Sequence, residues 1–578
     1  MRKTNCTINI NLVDVGAKAD SAPAATYNSE FADAEKLKKE SSSIPDYMTL
    51  EWNYSLLDGS MPHMPDSMTG VGYPVFTADM TNQARVRTNE PVLSVGFTEG
   101  HSSAGVSLGF IGDFPEQVRV EWIGAAGVVM DDRTYYPDGL NFFCENKVEN
   151  YRGLKIYFQK STAPYRFLKL QNIEYGYELI FDSENVIDAK ILEEVDPISS
   201  ELRINTLDFT VYDPNRDFNI LNQKGKYSLL QSLQEIKVRE SIDGTVMDMG
   251  TFYLESKDSK SETEITFHAI DGLGIIDKTN FIRGRIYSNE RAEVIIGEIM
   301  QSAGWSKYEV TDELKGVNLS GYLPVCTHRQ ALQRIAFALR AVVDCSRSNQ
   351  IKIYRQNKAA DVKIREDRIF MGDKITAGQY VSGIEVTTHQ YELADKEITV
   401  FDGNLPAGQN TVTFSKPVSN LSITGGTISQ SGVNYAVINM TSAGTCKITG
   451  KEYTDIQSTF VRNTDVPVPG EASNTIAVKD ATLVDRTNAY LLAEHLFDYY
   501  NLRRQTEIRF LLDTERTGRW VSIKSQYGMY INGGINRQEI DLTGGFLANA
   551  TVIGYNTQEM DYFFTGSERF TGEQIGVI

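Results

Sequence analysis

Residues 201–213, ELRINTLDFTVYD, decide the fold class of the region that contains them. Their apolar residues Leu202, Ile204, Leu207 and Phe209 follow period-two alternation only approximately. A strand that contains a bend or a bulge gives such a pattern. Further short runs of β-branched and aromatic residues come after it: EIKVRES, MGTFYLES and EITFHAIDGL. Short strands separated by turn residues predict a β unit over residues 187–277.

Strand patterns also dominate the N-terminal side of this stretch. Residues 47–178 contain VRVEWIG, LKIYF and YRFLKLQNIEYG, broken by Gly, Pro, Asn and Asp, which is typical of an antiparallel sandwich. Residues 14–43 are rich in Ala, Ser, Lys and Glu and have no sustained apolar period. They predict a linker or arm that orders only against a partner.

Three segments have helical periodicity instead. In residues 291–304 the apolar side chains recur three and four residues apart, and the segment ends at Gly304. In residues 328–343 the same spacing brings together Leu332, Ile335, Ala336 and Leu339. In residues 485–502 it brings together Leu491, Leu492, His495, Leu496 and Tyr499. The chain is therefore predicted to be multidomain and mainly β with an α+β insert. The expected parts are an arm (1–45), a sandwich (46–180), a first β domain (181–282), an α+β middle domain (283–380), a small β insert (381–470) and a closing β domain (471–578).

Composition excludes several classes of protein. The net charge is −19, from 76 Asp and Glu against 57 Lys and Arg, and nonspecific binding to nucleic acid needs a basic surface. We therefore expect no nucleic-acid partner. Because no long apolar run is present, we also expect no membrane span and no secretory signal. The five cysteines are far apart and contain no CxxC pair, so we expect reduced core residues in a protein synthesised in the cytoplasm. They are Cys6, Cys144, Cys326, Cys345 and Cys446.

A histidine next to two serines raises the question of a hydrolase. Residues 97–110, FTEGHSSAGVSLGF, alternate as a strand does, so His101 and Ser102 are expected on opposite faces. Because a nucleophile and its base must lie within hydrogen-bond reach, the pair does not predict catalysis.

Two acidic groups and the glycines also fail to predict a catalytic or ligand site. Glu193, Glu194 and Asp196 are nearly consecutive, which favours a solvated loop over a converging catalytic pair. Asp213, Asn215 and Asp217 alternate as calcium ligands do, but the central Gly and terminal Glu of a calcium loop are missing, which favours a local turn. Residues 272–278 and the glycines Gly425, Gly426 and Gly432 lack the strand, loop and helix order of a nucleotide site.

The histidines predict no metal site. None of them forms an HExxH pair, and His495 falls on the apolar stripe of a helix, so packing is the expected role. No cofactor, no metal and no catalytic residue is predicted, and ligand-binding residues stay unknown. The six are His63, His101, His268, His328, His389 and His495.

Part of the sandwich resembles the discoidin, or coagulation-factor type C, family. The resemblance rests on TLEWNYSLLDGS at residues 49–60, the HSSAG turn, VENYRGLKIYF and PYRFLKLQNIEYG. It implies a jelly-roll sandwich that commonly presents loops at one end to sugars or lipid headgroups. A purely structural copy of the fold is the alternative, because fold does not fix function.

The larger part of the chain, residues 187–555, resembles the hub proteins at the tip of phage tails and of related contractile injection machines. ILEEVDPISSELRINTLDFTVYD with GTFYLES and FHAIDGLGIIDKTNF resembles their first β domain. RAEVIIGEIMQSAGW with HRQALQRIAFALRAVVDCSRSNQIKIYR resembles the middle domain, and AYLLAEHLFDYYNLRRQTEIRF with WVSIKSQYGMYINGGINRQEIDLTGGFLANATVIGY the closing domain.

This resemblance implies a symmetry adaptor in the virion tail. Two similar β domains in one chain let three chains form a ring of six similar units, which can match a hexameric tail tube. The strands at residues 206–211 and 539–542 are expected as the edges that join copies, and ordinary protected edges are the alternative. The implied partners are two further copies, the tail-tube protein, the tape-measure protein and a tip spike or other baseplate protein. A host-surface glycan is a further candidate. A carbohydrate-binding adhesin and a cell-wall hydrolase are the competing functions.

Overall fold

The computed structural model describes residues 2–13, 15–26, 33–38, 48–55, 58, 73–219, 221–222, 230, 233–359, 362–463, 472–525, 529–557, 562–564 and 575–577. The protein is mainly β, with several sheets and few helices, which confirms the predicted fold class in its broad form. It divides into a larger unit of Met1–Ile8, Phe181–Gly225 and Ile236–Ile578 and a smaller unit of Asn9–Ile180 and Lys226–Glu235. The finer division into six domains stays a prediction.

The first strand, β1 (Thr4–Val13), begins in the larger unit and is followed by the smaller one. The smaller unit has one sheet in the order β3-β8-β4-β7-β5-β6, with β2 on β4. Its core surrounds the buried Trp122, Tyr151 and Phe158. The discoidin-like topology stays a prediction. Its elements are α1 (Val15–Asp20), β2 (Ala22–Ala25), β3 (Val75–Phe76), β4 (Val92–Phe110), β5 (Pro115–Ile123), β6 (Val129–Tyr135), β7 (Asn141–Ser161), β8 (Lys169–Glu174) and β9 (Gly176–Phe181).

Part of the predicted arm, residues 14–43, folds within the chain. β2 pairs antiparallel with β4 from Ala22 opposite Gly96 to Ala25 opposite Leu93, and Ala17 is fully buried. The prediction that this segment orders only against a partner is therefore wrong for these residues. Residues 14, 27–32 and 39–43 of the segment lie outside the described residues.

The larger unit continues with a β region and a mixed middle region. The β region comprises β10 (Val186–Glu194), β11 (Thr206–Tyr212), β12 (Glu235–Ile242), β13 (Thr245–Ser259) and β14 (Glu264–Ile270). The middle region comprises α2 (Gly272–Ile276), β15 (Asn280–Phe281), β16 (Ile286–Arg291), α3 (Ala292–Ala303), β17 (Tyr308–Val310), α4 (Asp312–Lys315), β18 (Asn318–Tyr322), β19 (Cys326–Thr327), α5 (His328–Leu339), β20 (Val342–Asp344), β21 (Ile351–Tyr354), β22 (Val362–Ile364) and β23 (Lys374–Ala377).

A β insert and a closing region complete the larger unit. The insert comprises β24 (Gly383–Leu405), β25 (Gly408–Thr413), β26 (Val418–Thr424), β27 (Thr427–Ser431), β28 (Tyr435–Met440), β29 (Gly444–Asn463) and β30 (Thr475–Val478). The closing region comprises α6 (Ala489–Tyr500), β31 (Arg504–Leu511), β32 (Trp520–Lys524), β33 (Tyr530–Asp541), β34 (Leu547–Thr557), β35 (Tyr562–Phe564) and β36 (Ile575–Val577).

The predicted helices form, but two have different bounds. α3 ends where expected, because Gly304 adopts the left-handed conformation with φ 67°. α5 stops at Leu339 rather than Val343, since Arg340 is left-handed and the two valines after it pair with β21 instead. α6 begins at Ala489 rather than at residue 485. Leu491, predicted on its apolar stripe, is 43% exposed, so that assignment is wrong.

The larger unit contains one strand order twice. The first set runs β10-β11-β14-β13-β12-β1 and the second runs β23-β31-β34-β33-β32-β22. Along the sequence, the first set begins with β1 followed by β10, and the second set begins with β22 followed by β23. The smaller unit is thus an insertion after the first strand of the first set, and the β insert follows the second strand of the second set.

Register supports the equivalence of the two sets. Corresponding pairs are antiparallel in both: β10 with β11 and β23 with β31, β11 with β14 and β31 with β34, β13 with β14 and β33 with β34. The fourth strand of each set also has a register shift, between Leu254 and Ser256 in β13 and between Ile535 and Arg537 in β33. Such bulges are specific features of a strand, so the shared position favours one duplicated domain.

Candidate functional site: the joint between the two strand sets

The two sets meet along one antiparallel ladder within the chain. β10, the outer strand of the first set, pairs with β33 of the second set from Lys190 opposite Asp541 to Glu194 opposite Arg537. Backbone bonds extend it at both ends, with Leu542 N donating to Ala189 O at 2.9 Å and Val195 N donating to Asn536 O at 2.8 Å. The first half of β33 pairs with β32 instead. The two sets therefore share one continuous sheet.

Opposite charges mark the surface of this joint. Lys190 faces Asp541, and the Arg537 guanidinium lies 3.2 Å from the Glu194 carboxylate across the ladder. Both side chains of the second pair are partly exposed. Exposed ion pairs contribute only about 0–1 kcal/mol to stability. These charges therefore help to set the register of the β10–β33 ladder more than they stabilise the fold.

The interior of the joint is held by a buried ion pair. Glu193 lies in β10, and its carboxylate accepts a bond from Arg347 Nε at 3.0 Å and another from the Thr517 hydroxyl at 3.1 Å. The side chains of Glu193 and Arg347 are 1% and 2% exposed. Glu193 thus ties the joint to the loop after β20 and to the loop before β32. Removing one partner of such a buried pair typically costs about 3–5 kcal/mol.

A second acid, the half-buried Asp344, lies next to this pair. Asp344 accepts a bond from Ser346 N at 2.7 Å, and burial raises the pKa of its carboxyl to about 6. The nearby Glu193 carboxylate contributes to this increase in the pKa. The Tyr354 hydroxyl is also buried beside Asp344, and both burial and that carboxyl raise its pKa.

A third buried carboxyl links the middle region back to the joint. Asp271 caps α2 by accepting from Gly274 N at 3.1 Å, and it also accepts from Asn205 N at 3.0 Å. Burial raises its pKa to about 7. The Asn205 side chain accepts from Glu194 N at 2.8 Å and donates to the Ser346 hydroxyl at 3.3 Å. These polar groups are enclosed by protein and bonded to one another, as structural rather than substrate-binding groups are.

The acidic cluster differs from its prediction. Glu193 belongs to a strand and is buried, so the expectation of a solvated loop is wrong for it. Glu194 is partly exposed in the same strand, and Asp196 accepts from Ile198 N at 3.1 Å in the turn that follows. Ile191, Glu193 and Val195 alternate on one buried face, and this period of two was the available signal.

The two predicted joining strands are interior. β11 pairs with β10 on one side and β14 on the other. Residues 539–541 of β33 pair with β10 and with β34. The prediction that these strands are edges between copies is therefore wrong, since their backbone groups are already paired within the chain.

His101 and Ser102 do lie apart in β4. His101 is buried and its Nε2 lies 3.0 Å from Asp20 Oδ2, whereas Ser102 is exposed and its hydroxyl accepts from Asn150 N at 3.0 Å. The two side chains have separate partners, as the extended conformation predicts.

The other histidines have packing or ion-pair contacts in the described regions. His268 lies 2.5 Å from Asp208, His389 lies 2.8 Å from Asp455, and His328 lies 3.0 Å from Ser302. His495 is largely buried beside Tyr499, and burial lowers its pKa to about 4. His63 lies outside the described residues.

The calcium-like loop has a local backbone contact, and the cysteines lie in the interior or partly exposed. Asp213 accepts from Phe218 N at 2.7 Å, a local bond of the kind expected for a turn. All five cysteines are free, four of them buried and Cys326 half-buried, as predicted. Among the described residues no group of three or more His, Cys, Asp or Glu is placed to hold a metal ion. No helix in the described part of the chain has the length and hydropathy needed to cross a membrane.

The smaller unit has an exposed aromatic surface that sequence patterns did not indicate. Trp52 is 71% exposed and its ring centroid lies 5.4 Å from that of Tyr165. Arg166 donates to Trp52 O at 2.6 Å. The preceding residue, Glu51, forms a buried ion pair with Lys169 at 2.7 Å. Trp52 is therefore exposed on a backbone that buried contacts hold in place.

Comparisons with known proteins find similarity only among solved structures. No protein-family model matches the chain, and no curated protein matches it. It is similar to the 43 kDa tail protein of prophage MuSo2 from Shewanella oneidensis, with 11% identity, 65% of this chain and 95% of that chain covered, and a TM-score of 0.39. Prophage tail protein gp18 from Listeria monocytogenes gives 11% identity, 66% and 91% coverage and 0.38.

A component of the type VI secretion system of E. coli is also similar, with 9% identity, 64% and 74% coverage and a TM-score of 0.31. Similarity of this strength leaves the function of the chain to be inferred from its own residues.

Proposed function

We propose that this chain is a structural hub protein of a phage-type tail tip or baseplate. In this role three copies form a ring that adapts the hexameric tail tube to the tip. The observation that carries the proposal is the repeated strand order within one chain, in which two equivalent sets are joined side by side. Three such chains supply six similar sets, so a threefold assembly presents a near-sixfold surface.

The joint favours a mechanical role over catalysis. Glu193, Arg347 and Asp344 are bonded to each other or to backbone where the two strand sets join in one sheet. In the proposed ring, the buried ion pair between Glu193 and Arg347 would keep the two strand sets of each chain in one register. The proposed partners are two further copies, the tail-tube protein, the tape-measure protein and a tip spike or other baseplate protein, and the proposed location is the virion tail.

Native mass spectrometry of the purified full chain tests this proposal. The chain has a mass of 64.7 kDa, so a trimer has a mass of about 3 × 64.7 = 194 kDa. We expect the trimer, either alone or after addition of tail-tube protein. A protein that stays monomeric under both conditions contradicts the proposal.

A second role, binding of a host-surface glycan, is favoured by Trp52. Aromatic rings with one open face commonly supply the apolar contact in sugar sites, and polar neighbours fix orientation. Here Tyr165 and Arg166 lie beside the exposed indole. A glycan array probed with the full chain and with Trp52→Ala tests the role. We expect glycan signals that the variant loses, with Tyr136→Ala as a control at another exposed aromatic. Equal signals from the Trp52 variant would contradict it.

A further inference from the structure

An open cleft of about 560 Å³ lies between the middle region and the β insert of the larger unit. The middle region contributes Tyr322 at the end of β18 and Arg334 in α5, and the insert contributes Tyr391 in β24 and Tyr453 in β29. Every residue that lines the cleft belongs to the described part of the chain. Sites for small molecules commonly have volumes of about 300–1,000 Å³, so the cleft is large enough to hold a ligand.

Buried hydrogen bonds hold the two walls of the cleft together. The Tyr322 hydroxyl of the middle region donates to Asn434 Oδ1 of the insert at 2.6 Å. The Asn434 side chain is fully buried and also donates to Leu323 O at 2.8 Å. From the segment after β30, the Thr482 hydroxyl donates to Tyr322 O at 2.6 Å. The cleft is therefore preformed, and a ligand would bind without a large rearrangement of its walls.

The insert wall presents a supported aromatic ring. Tyr391 is half-buried, and its ring centroid lies 5.4 Å from that of Tyr322. The buried His389 ring lies parallel to it, with the centroids 6.3 Å apart and an interplanar angle of 9°. His389 is held in turn by Asp455 Oδ2, 2.8 Å from its Nδ1, and by Lys479 O, 2.9 Å from its Nε2. Tyr391 thus supplies the cleft with a fixed apolar surface that has a polar tip.

Several polar groups on the cleft walls have no bonding partner in the part of the chain that the structure describes. They are the hydroxyls of Tyr391 and Tyr453 and the exposed carboxylate of Asp480. Arg334 donates from Nη1 to Asp480 O at 3.0 Å, lies beside the Cys326 thiol and forms no ion pair with a described carboxylate. A guanidinium has five N–H donors, so Arg334 retains donors for a ligand.

The charges of the lining favour a neutral ligand. Arg334 and Lys416 are cationic, whereas Glu452, Asp455 and Asp480 are anionic. Lys416 and Glu452 already pair with each other at 3.0 Å. A cationic ligand would lie close to the Arg334 guanidinium, and a phosphate or another anion would lie close to the carboxylates. A hydroxyl both donates and accepts hydrogen bonds, so a neutral ligand with several hydroxyls can use both kinds of lining group.

We propose that this cleft binds a neutral saccharide. Tyr391 and Tyr453 contact the sugar and exchange hydrogen bonds with its hydroxyls. The Arg334 guanidinium donates to sugar oxygens, and the Asp480 carboxylate accepts from a sugar hydroxyl. The site belongs to the larger unit and depends neither on the exposed Trp52 of the smaller unit nor on the proposed ring.

A glycan array that carries neutral and acidic oligosaccharides, probed with the full chain, tests this proposal. We expect binding to at least one neutral oligosaccharide, and we expect that binding to persist in Trp52→Ala. The Kd of the strongest neutral binder, measured by isothermal titration calorimetry with the free oligosaccharide, then serves to compare variants of the cleft.

Two cleft variants and one matched control separate binding from folding. Tyr391→Phe keeps the ring and removes a hydroxyl that has no partner within the described chain, so the melting temperature should stay unchanged while Kd rises about three- to tenfold. Arg334→Met removes charge-assisted donors and should raise Kd about tenfold or more. Tyr490→Phe, at a tyrosine of α6 that is 54% exposed, should leave both quantities unchanged.

The proposal is overturned if no neutral oligosaccharide on the array binds, or if Trp52→Ala abolishes all such binding. A Kd that Tyr391→Phe and Arg334→Met leave unchanged also contradicts it, as does binding confined to acidic glycans. The oligomeric state bears on the proposed ring alone, so either proposal can fail while the other stands.

Discussion

The two outer strands of the repeated sets, β10 and β23, differ in their neighbours: β10 pairs with a strand on each side, whereas β23 pairs with β31 alone among the described strands. β10 spans Val186–Glu194, alternates buried with exposed residues and places Glu193 in a buried ion pair. β23 spans only Lys374–Ala377, and none of its residues is buried. Natural proteins shorten open edges and place lysine on them to discourage unwanted pairing. The comparison shows that a strand with a neighbour on each side can be longer, can bury its residues and can hold a charged side chain in the interior.

Glu193→Ala should have the largest effect, because it removes the buried side of the joint. The variant leaves the Arg347 guanidinium buried without its carboxylate, so we expect the free energy of unfolding to fall by about 3–5 kcal/mol. Urea unfolding followed by tryptophan fluorescence measures the change. Glu194→Ala, on the same strand but partly exposed, is the control and should lose about 1 kcal/mol or less. Equal losses from the two variants would contradict the importance of the buried pair.

Asp344→Asn should change how stability depends on pH. The folded pKa of Asp344, about 6, lies above the usual value of 3.8, so the folded state holds a proton that the unfolded state has released. Its contribution is present below about pH 4 and is lost as the pH rises through about 6, which lowers the free energy of unfolding by about 3 kcal/mol. The asparagine variant lacks this loss, so its stability relative to wild type should increase with pH.

Urea titrations at several pH values between 4.5 and 7.5 measure this difference. Asp138→Asn, at an exposed position, changes charge equally and should follow the wild-type profile. Parallel profiles for Asp344→Asn and wild type would show that Asp344 is ionised normally inside the fold.

Thr517→Val should have the smallest effect on the joint. It removes the hydroxyl that donates to Glu193 at 3.1 Å and keeps the shape of the side chain. A hydrogen bond to a charged group contributes about 1.5–3 kcal/mol at most, and Arg347 still satisfies the carboxylate, so we expect a loss of about 1 kcal/mol. The shift in urea midpoint checks it, and a loss as large as that of Glu193→Ala would mean that the hydroxyl, not the arginine, holds the carboxylate.

Local structure was predictable from local pattern. The strand content, the course of α3 and its end at Gly304 follow from periodicity and from the conformational freedom of glycine. The end of α5 was not predictable, because Arg340 adopts a left-handed conformation and Val342 and Val343 find a strand partner at Ile353 and Tyr354. Tertiary pairing there overrides a helical pattern.

Long-range pairing was beyond the reach of sequence reasoning. Nothing near Thr4 in the sequence indicates that β1 lies beside β12, since the smaller unit separates β1 from β10. The repeat was inferred from resemblance, but the strands expected at the edges proved to be interior. The burial of Glu193 could not be predicted, because charged residues are seldom fully buried unless paired and its partner Arg347 is far away in the sequence.

The most direct test of the central claim is an electron-microscopy reconstruction of the full-length assembly, calculated without imposed symmetry. The account predicts a ring of three chains whose wall contains six similar sheet segments, joined alternately within and between chains. A ring with a number of chains other than three, or a threefold ring in which the two strand sets lie at different radii, would contradict it.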